Sequence, residues 1–192
     1  MHSGVISPQA QAILRSYNEL NPMPSLALDI LSRLSASETI TPKLLERIQI
    51  DPGAVACLLR HCNSPFFGLR RQILSLNQAA NLLGWENLKS LLTTYYMRSH
   101  FTTSSDQRLQ ESLWNHAIAC ASMSRHLARA CDRDEHLAYL CGLLHDLGKP
   151  PMLQARREAF TELLQTRVCS WGALEEEQRL MGTTHPEVGA LL

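Results

Sequence analysis

The chain carries no net charge: eighteen lysines and arginines balance eighteen aspartates and glutamates among its 192 residues. That removes the electrostatic ground for expecting nucleic acid or an anionic membrane as partner. The arginines and the histidine within 60–71 read as an ordinary solvated face. No apolar run reaches the roughly 18 residues of a membrane span. The opening "MHSGVISPQAQ" lacks the charged and apolar regions of a secretory signal. A soluble, cytoplasmic protein is the expectation. Six cysteines, at 57, 62, 120, 131, 141 and 169, form no CxxC pair. In that compartment they read as small buried thiols rather than a disulfide framework. Sustained period-two alternation is also missing, so nothing supports a sheet.

What is present is helical periodicity almost throughout. Ser7-Pro8, Thr41-Pro42 and Asp51-Pro52 each place a capping side chain before a proline, the chemistry of a helix start. They lead into Ala10, Ile13, Leu14, Tyr17 and Leu20, into Leu44, Leu45 and Ile48, and into Val55, Leu58, Leu59 and Cys62. Leu26, Ile30, Leu31 and Leu34 mark another helix. Leu76, Ala79, Ala80 and Leu83 mark one more, ended by Gly84, before a longer helix over 85–100 with Leu88, Leu91, Leu92 and Tyr95 inward. The polar tract 102–107 is the most linker-like. Further helices are expected over 107–131, 135–147, 158–165, after Ser170 and from Thr184. The fold class is all-α, with an N-terminal half over 1–105 and a second half over 106–192, closely packed.

Chemistry concentrates at "AYLCGLLHDLGKPPM", 138–152. Leu137, Leu140, Cys141 and Leu144 lie at core spacing, Gly148 reads as a left-handed C-terminal cap, and Pro150 forbids continuation. His145 and Asp146 then fall in the last turn, about 100° apart, where imidazole and carboxylate can straddle one ion. The plainer reading is a helix end that happens to be polar. His116, in "LWNHAIACASMSRHL", lies in a mostly apolar region where an imidazole needs a partner. The short connector "DRDE" makes its helix antiparallel to the next, which brings His116 near the level of His145. His185 opens the last helix, with Thr184 and Glu187 spaced as a capping box. The helix dipole there favours neutral imidazole, the form that ligates metal.

Candidate metal ligands are therefore His116, His145, Asp146 and His185, with Asp146 and Lys149 as the candidate catalytic residues. Lys149 faces an anionic oxygen in that reading, and is otherwise a cation suited to a helix C-terminus. Nitrogen and oxygen donors suit Mn, Fe, Mg or Zn in a hydrolytic role. No carboxylate follows His185 to complete the set, and the acidic run 175–177 reads as a solvated face. An alternative pairs His116 with Cys120 and Cys141 with His145, each at i, i+4, as a Cys2His2 zinc site. A second candidate site is Asn63 with Phe66, Phe67 and Gly68, as an interaction surface or as a turn whose aromatics anchor a seam.

The motif "GLLHDLGK" resembles the centre of the HD superfamily of metal-dependent phosphohydrolases. "MPSLALDIL", "IQIDPGAVACLLRHCNSPFFGL", "SLNQAANLLGWENLKSLL", "LWNHAIACA" and "THPEVGALL" resemble, in order, the blocks of the HDOD domain, its regulatory branch in bacterial signalling proteins. The resemblance covers about residues 20–192. It implies an all-helical fold and a signalling module acting through other proteins or domains, with a partial HD metal site and possible nucleotide binding. The related HD-GYP enzymes hydrolyse a cyclic dinucleotide, and His116, His145, Asp146, Lys149 and His185 fall on positions resembling their metal or phosphate residues. The GYP block and the downstream aspartate have no counterpart here. The expected function is thus a non-catalytic regulatory module, with a metal-dependent nucleotide phosphohydrolase as alternative and a divalent metal or none as cofactor. The apolar final helix stops after about two turns, marginal alone, so a piece of a longer protein is expected.

Overall fold

The computed structural model describes residues 7–20, 24–36, 39–101, 107–165 and 173–192. Cys169, most of the 102–107 tract and the chain just after Ser170 lie outside them. The described elements are α1 (Pro8–Leu20), α2 (Ser25–Ala36), α3 (Pro42–Gln49), α4 (Pro52–Cys62), a 3-10 turn (Pro65–Phe67), α5 (Leu76–Phe101), α6 (Gln107–Ala130), α7 (Glu135–Leu144), α8 (Lys149–Ala155), α9 (Arg157–Gln165), α10 (Ala173–Met181) and α11 (His185–Gly189). No strand occurs among the described residues. The three cap-then-proline starts form as their chemistry dictates. Ser7 Oγ accepts from the Ala10 amide at 3.2 Å, and Thr41 Oγ1 from that of Leu44 at 3.2 Å. Asp51 Oδ1 accepts from the amides of Gly53 and Ala54 at 2.9 and 3.1 Å.

Two compact units result, Met23–His100 and the pair Met1–Pro22 with Phe101–Leu192. The first is built on Ile30, Leu44, Ile48, Leu58, Leu88 and Leu92, all buried. Gly84 breaks α5 with φ 72°, so the expected pair of helices meets at a kink. Asn63 staples the loop after α4: its Nδ2 donates to the Leu59 and Ile73 carbonyls, and its Oδ1 accepts from the Ile73 amide. The two aromatics beside it stand edge-on to each other, ring centroids 5.3 Å apart. Phe67 packs on this core and edge-on to His61, whereas Phe66 is 88% exposed.

In the second unit the buried residues Ala10, Ile13, Met152, Leu153, Phe160, Met181 and Val188 form the main core. Helix α1 belongs here, with its apolar face against α8 and α11, a discontinuity that the division at 105 does not contain. Ser7 Oγ–H donates to Glu187 Oε2 at 3.2 Å and ties the start of α1 to α11.

Three local expectations are corrected. Of the cysteines described, only Cys62 is fully buried, while Cys131 and Cys141 are exposed. Helix α7 turns Gly142 and Leu143 inward and leaves Leu137 exposed, because glycine, not leucine, allows the closest approach to α6. And α7 ends at Leu144 rather than 147; Pro150 then sits in the first turn of α8, where its missing N–H costs nothing.

Candidate metal centre

Two close backbone approaches assemble the site. A Cβ on Gly142 would lie 2.8 Å from both Ala121 Cα and the Cys120 carbonyl, so glycine lets α7 press onto α6. That contact sets His145 opposite His116, with ring centroids 5.2 Å apart. Gly148 is not a left-handed cap: its φ is −75°. Its role is steric, because a Cβ there would stand 2.0 Å from the His185 carbonyl. Glycine at that point admits the start of α11 beside the turn that carries Asp146.

The result gathers all five residues singled out in the sequence. Asp146 is only 8% exposed, and Lys149 Nζ donates to its Oδ2 at 2.7 Å. His145 Nε2 and His116 Nε2 stand 3.2 and 3.4 Å from the same oxygen, and His185 Nε2 stands 3.3 Å from Oδ1. The two imidazole nitrogens of His116 and His145 are 3.3 Å apart. Lys149 opens α8 rather than closing a helix, so the helix-dipole explanation for it does not apply; its partner is the carboxylate.

The ring orientations are fixed from behind. His145 Nδ1–H donates to the Gly142 carbonyl at 2.8 Å, which turns Nε2 toward the cluster. His185 Nδ1–H donates to Glu177 at 2.8 Å, again leaving Nε2 forward. Glu177 Oε2 also accepts the His185 amide at 2.8 Å. This corrects two expectations. The run 175–177 is not a uniformly solvated face, since Glu177 is 1% exposed. Nor does Thr184 close a capping box: its side chain makes no cap bond, Glu177 satisfies the helix start, and Glu187 accepts instead from Thr183 Oγ1 at 2.7 Å. Glu177 is the residue that sequence reading misses. Its only signal is the tight turn at Gly182 (φ 70°), across which Glu177 reaches His185.

Such an arrangement fits a divalent cation. His145 and His185, each bonded behind through Nδ1, turn Nε2 toward the Asp146 carboxylate. Three imidazole nitrogens at 3.2 to 3.4 Å from one carboxylate are a donor set of the kind a divalent cation takes. Cys120 adds a further donor, with Sγ 3.6 Å from His116 Nε2. Sγ and one nitrogen each of His116 and His145 lie within 4.8 Å of one another. Cys141 is not in that group, so the Cys2His2 alternative assembles on one side only.

An all-helical fold with a His-Asp pair at a helix end and histidines converging on it defines the HD type of domain. The profile of the HDOD domain matches residues 20–192, and the chain belongs to that family. An uncharacterized protein of Treponema pallidum (strain Nichols) is 28% identical over 188 residues, which cover 95% of this chain and 36% of that protein. An HDOD domain protein with unknown function from Geobacter sulfurreducens superposes with TM-score 0.75 at 25% identity, over 95% of this chain and 62% of its own. The fold is shared also by a "Putative phosphohydrolase" from Shewanella amazonensis SB2B, with TM-score 0.75 and 21% identity over 94% of this chain and 65% of that one. The chain thus spans less than two thirds of each. No helix among the described residues is long and apolar enough to cross a membrane.

Proposed function

We propose that the chain is a regulatory HDOD module of a bacterial signalling system, located in the cytoplasm, which acts through contacts with other signalling proteins or domains and does not turn over a substrate. The observation that carries this reading is the supply of carboxylates. Among the described residues one carboxylate, Asp146, faces the three imidazoles, and Lys149 already holds one of its oxygens. Glu177 is committed to orienting His185. A hydrolytic centre needs an open metal position and a group that orients the attacking water, and no further carboxylate here supplies the second. The exposed side chains of Phe66, Leu69 and Leu74, carried on the loop that Asn63 staples, offer apolar surface for a partner.

A second reading rests on the convergence itself. His116, His145 and Asp146 would hold a Mn, Fe, Mg or Zn ion, Lys149 would meet a phosphate oxygen, and the chain would be a nucleotide or cyclic-nucleotide phosphohydrolase. The metal would polarise the phosphoryl group and lower the pKa of a bound water. One assay separates the two: metal-loaded chain with linear and cyclic dinucleotides and a chromogenic phosphodiester. No product above that of a His145→Ala, Asp146→Ala double variant is expected. Metal-dependent turnover that the double variant lacks would establish the enzyme and end the regulatory reading.

A further inference from the structure

The family resemblance gives Cys120 no role, yet it sits one helical turn after His116 on the same face of α6, about 6 Å along the axis. Its sulfur reaches the cluster, at 3.6 Å from His116 Nε2. Tetrahedral zinc has bonds of about 2.05 Å to nitrogen and about 2.3 Å to sulfur, so its nitrogens stand about 3.3 Å apart and each nitrogen–sulfur pair about 3.6 Å. The His116–His145 separation is 3.3 Å, the Cys120–His116 separation 3.6 Å, and Asp146 Oδ2 lies 3.2 and 3.4 Å from the two nitrogens. The His116–His145 and Cys120–His116 distances match edges that a zinc ion would span, the three donors lie within 4.8 Å of one another, and Asp146, with Lys149 on its Oδ2, lies beside them.

We infer that Cys120 is a metal ligand, and that His116, Cys120 and His145 form a three-donor site with a preference for zinc. The inference rests on the metal-binding part of the reading above and gives it a consequence. Three protein donors leave the fourth tetrahedral position to an exogenous ligand. A thiolate also shifts the preference from Mg and Mn toward softer ions. Binding is balanced as a proton exchange: the Cys120 S–H bond breaks, its electron pair goes to the metal, and the proton leaves to solvent. His185, held by Glu177, stays as a partner of Asp146 Oδ1.

The test is cobalt(II) added to chelator-treated full chain, followed by ultraviolet and visible absorption. The expected result is one equivalent bound, a near-ultraviolet thiolate-to-cobalt charge-transfer band, and displacement by zinc, which lies above cobalt in affinity for such a site. Cys120→Ser is expected to abolish the band and weaken zinc binding by more than about tenfold, the loss that even an outer-shell change causes. Cys141→Ser is expected to leave both as they were. Circular dichroism of the Cys120→Ser protein separates loss of a ligand from loss of fold. Cobalt bound without the band, or no cobalt bound, would overturn ligation by Cys120 and leave the regulatory role standing. Phosphodiester turnover by a protein that shows the band would keep Cys120 as a ligand and overturn the non-catalytic role.

Discussion

Glu177 carries the consequence that is least visible from the sequence. It is the buried member of a run of three acidic residues, and its neighbour Glu176 is spent on Arg179. Removing it strands two donors, the amide and the Nδ1–H of His185. Glu177→Ala is therefore expected to lower stability by about 2 kcal/mol, the cost of orphaned donors to a charged acceptor, with urea unfolding as the measurement. Metal affinity is expected to fall about 10- to 100-fold, and Glu177→Gln, which keeps an acceptor, should recover part of both. An unchanged metal affinity in Glu177→Ala would show that His185 is not oriented for the site. The histidines and Asp146 were legible because their types and spacing are rare. Glu177 was not, because three consecutive glutamates look alike until the turn at Gly182 selects which one is buried.

Helix starts were legible for a local reason: a capping side chain followed by proline acts within four residues, whatever the rest of the chain does. Asp51→Ala is expected to cost about 1 kcal/mol by loss of the α4 cap, read as a shift in the urea midpoint. What the sequence could not supply was the phase of α7 and the true role of Gly148, since both depend on what lies across the contact. Gly148→Ala is expected to destabilise by about 1–3 kcal/mol, because the added carbon meets the His185 backbone rather than a side chain that can move. The same variant should displace α11 and weaken metal binding, which a probe on α11 would report. Between α2 and α3, Asp29 accepts hydrogen bonds from Arg47 and Arg33, which hold its carboxyl below the ordinary value. A depressed folded pKa means that this tie is complete above the unfolded value and is lost as pH falls toward the folded one. Asp29→Asn should thus flatten the acid limb of the stability curve and leave neutral pH less stable than in the parent.

At the scale of the whole molecule, the all-α class and the HDOD family follow from motif order and helical periodicity. The return of α1 to the C-terminal helices does not, because an amphipathic face announces that it needs a partner without naming one. A metal that binds only the folded second unit links the site to that unit's stability. At a free concentration a hundred times its Kd it should add about 2.7 kcal/mol, and a chelator should remove that gain. The most direct test of the centre is calorimetric titration of the metal-free chain with zinc. One equivalent is expected, with binding abolished in the His145→Ala, Asp146→Ala double variant. Zinc that fails to bind, or that binds the double variant equally well, would contradict the assignment of His116, His145 and Asp146 as a metal centre.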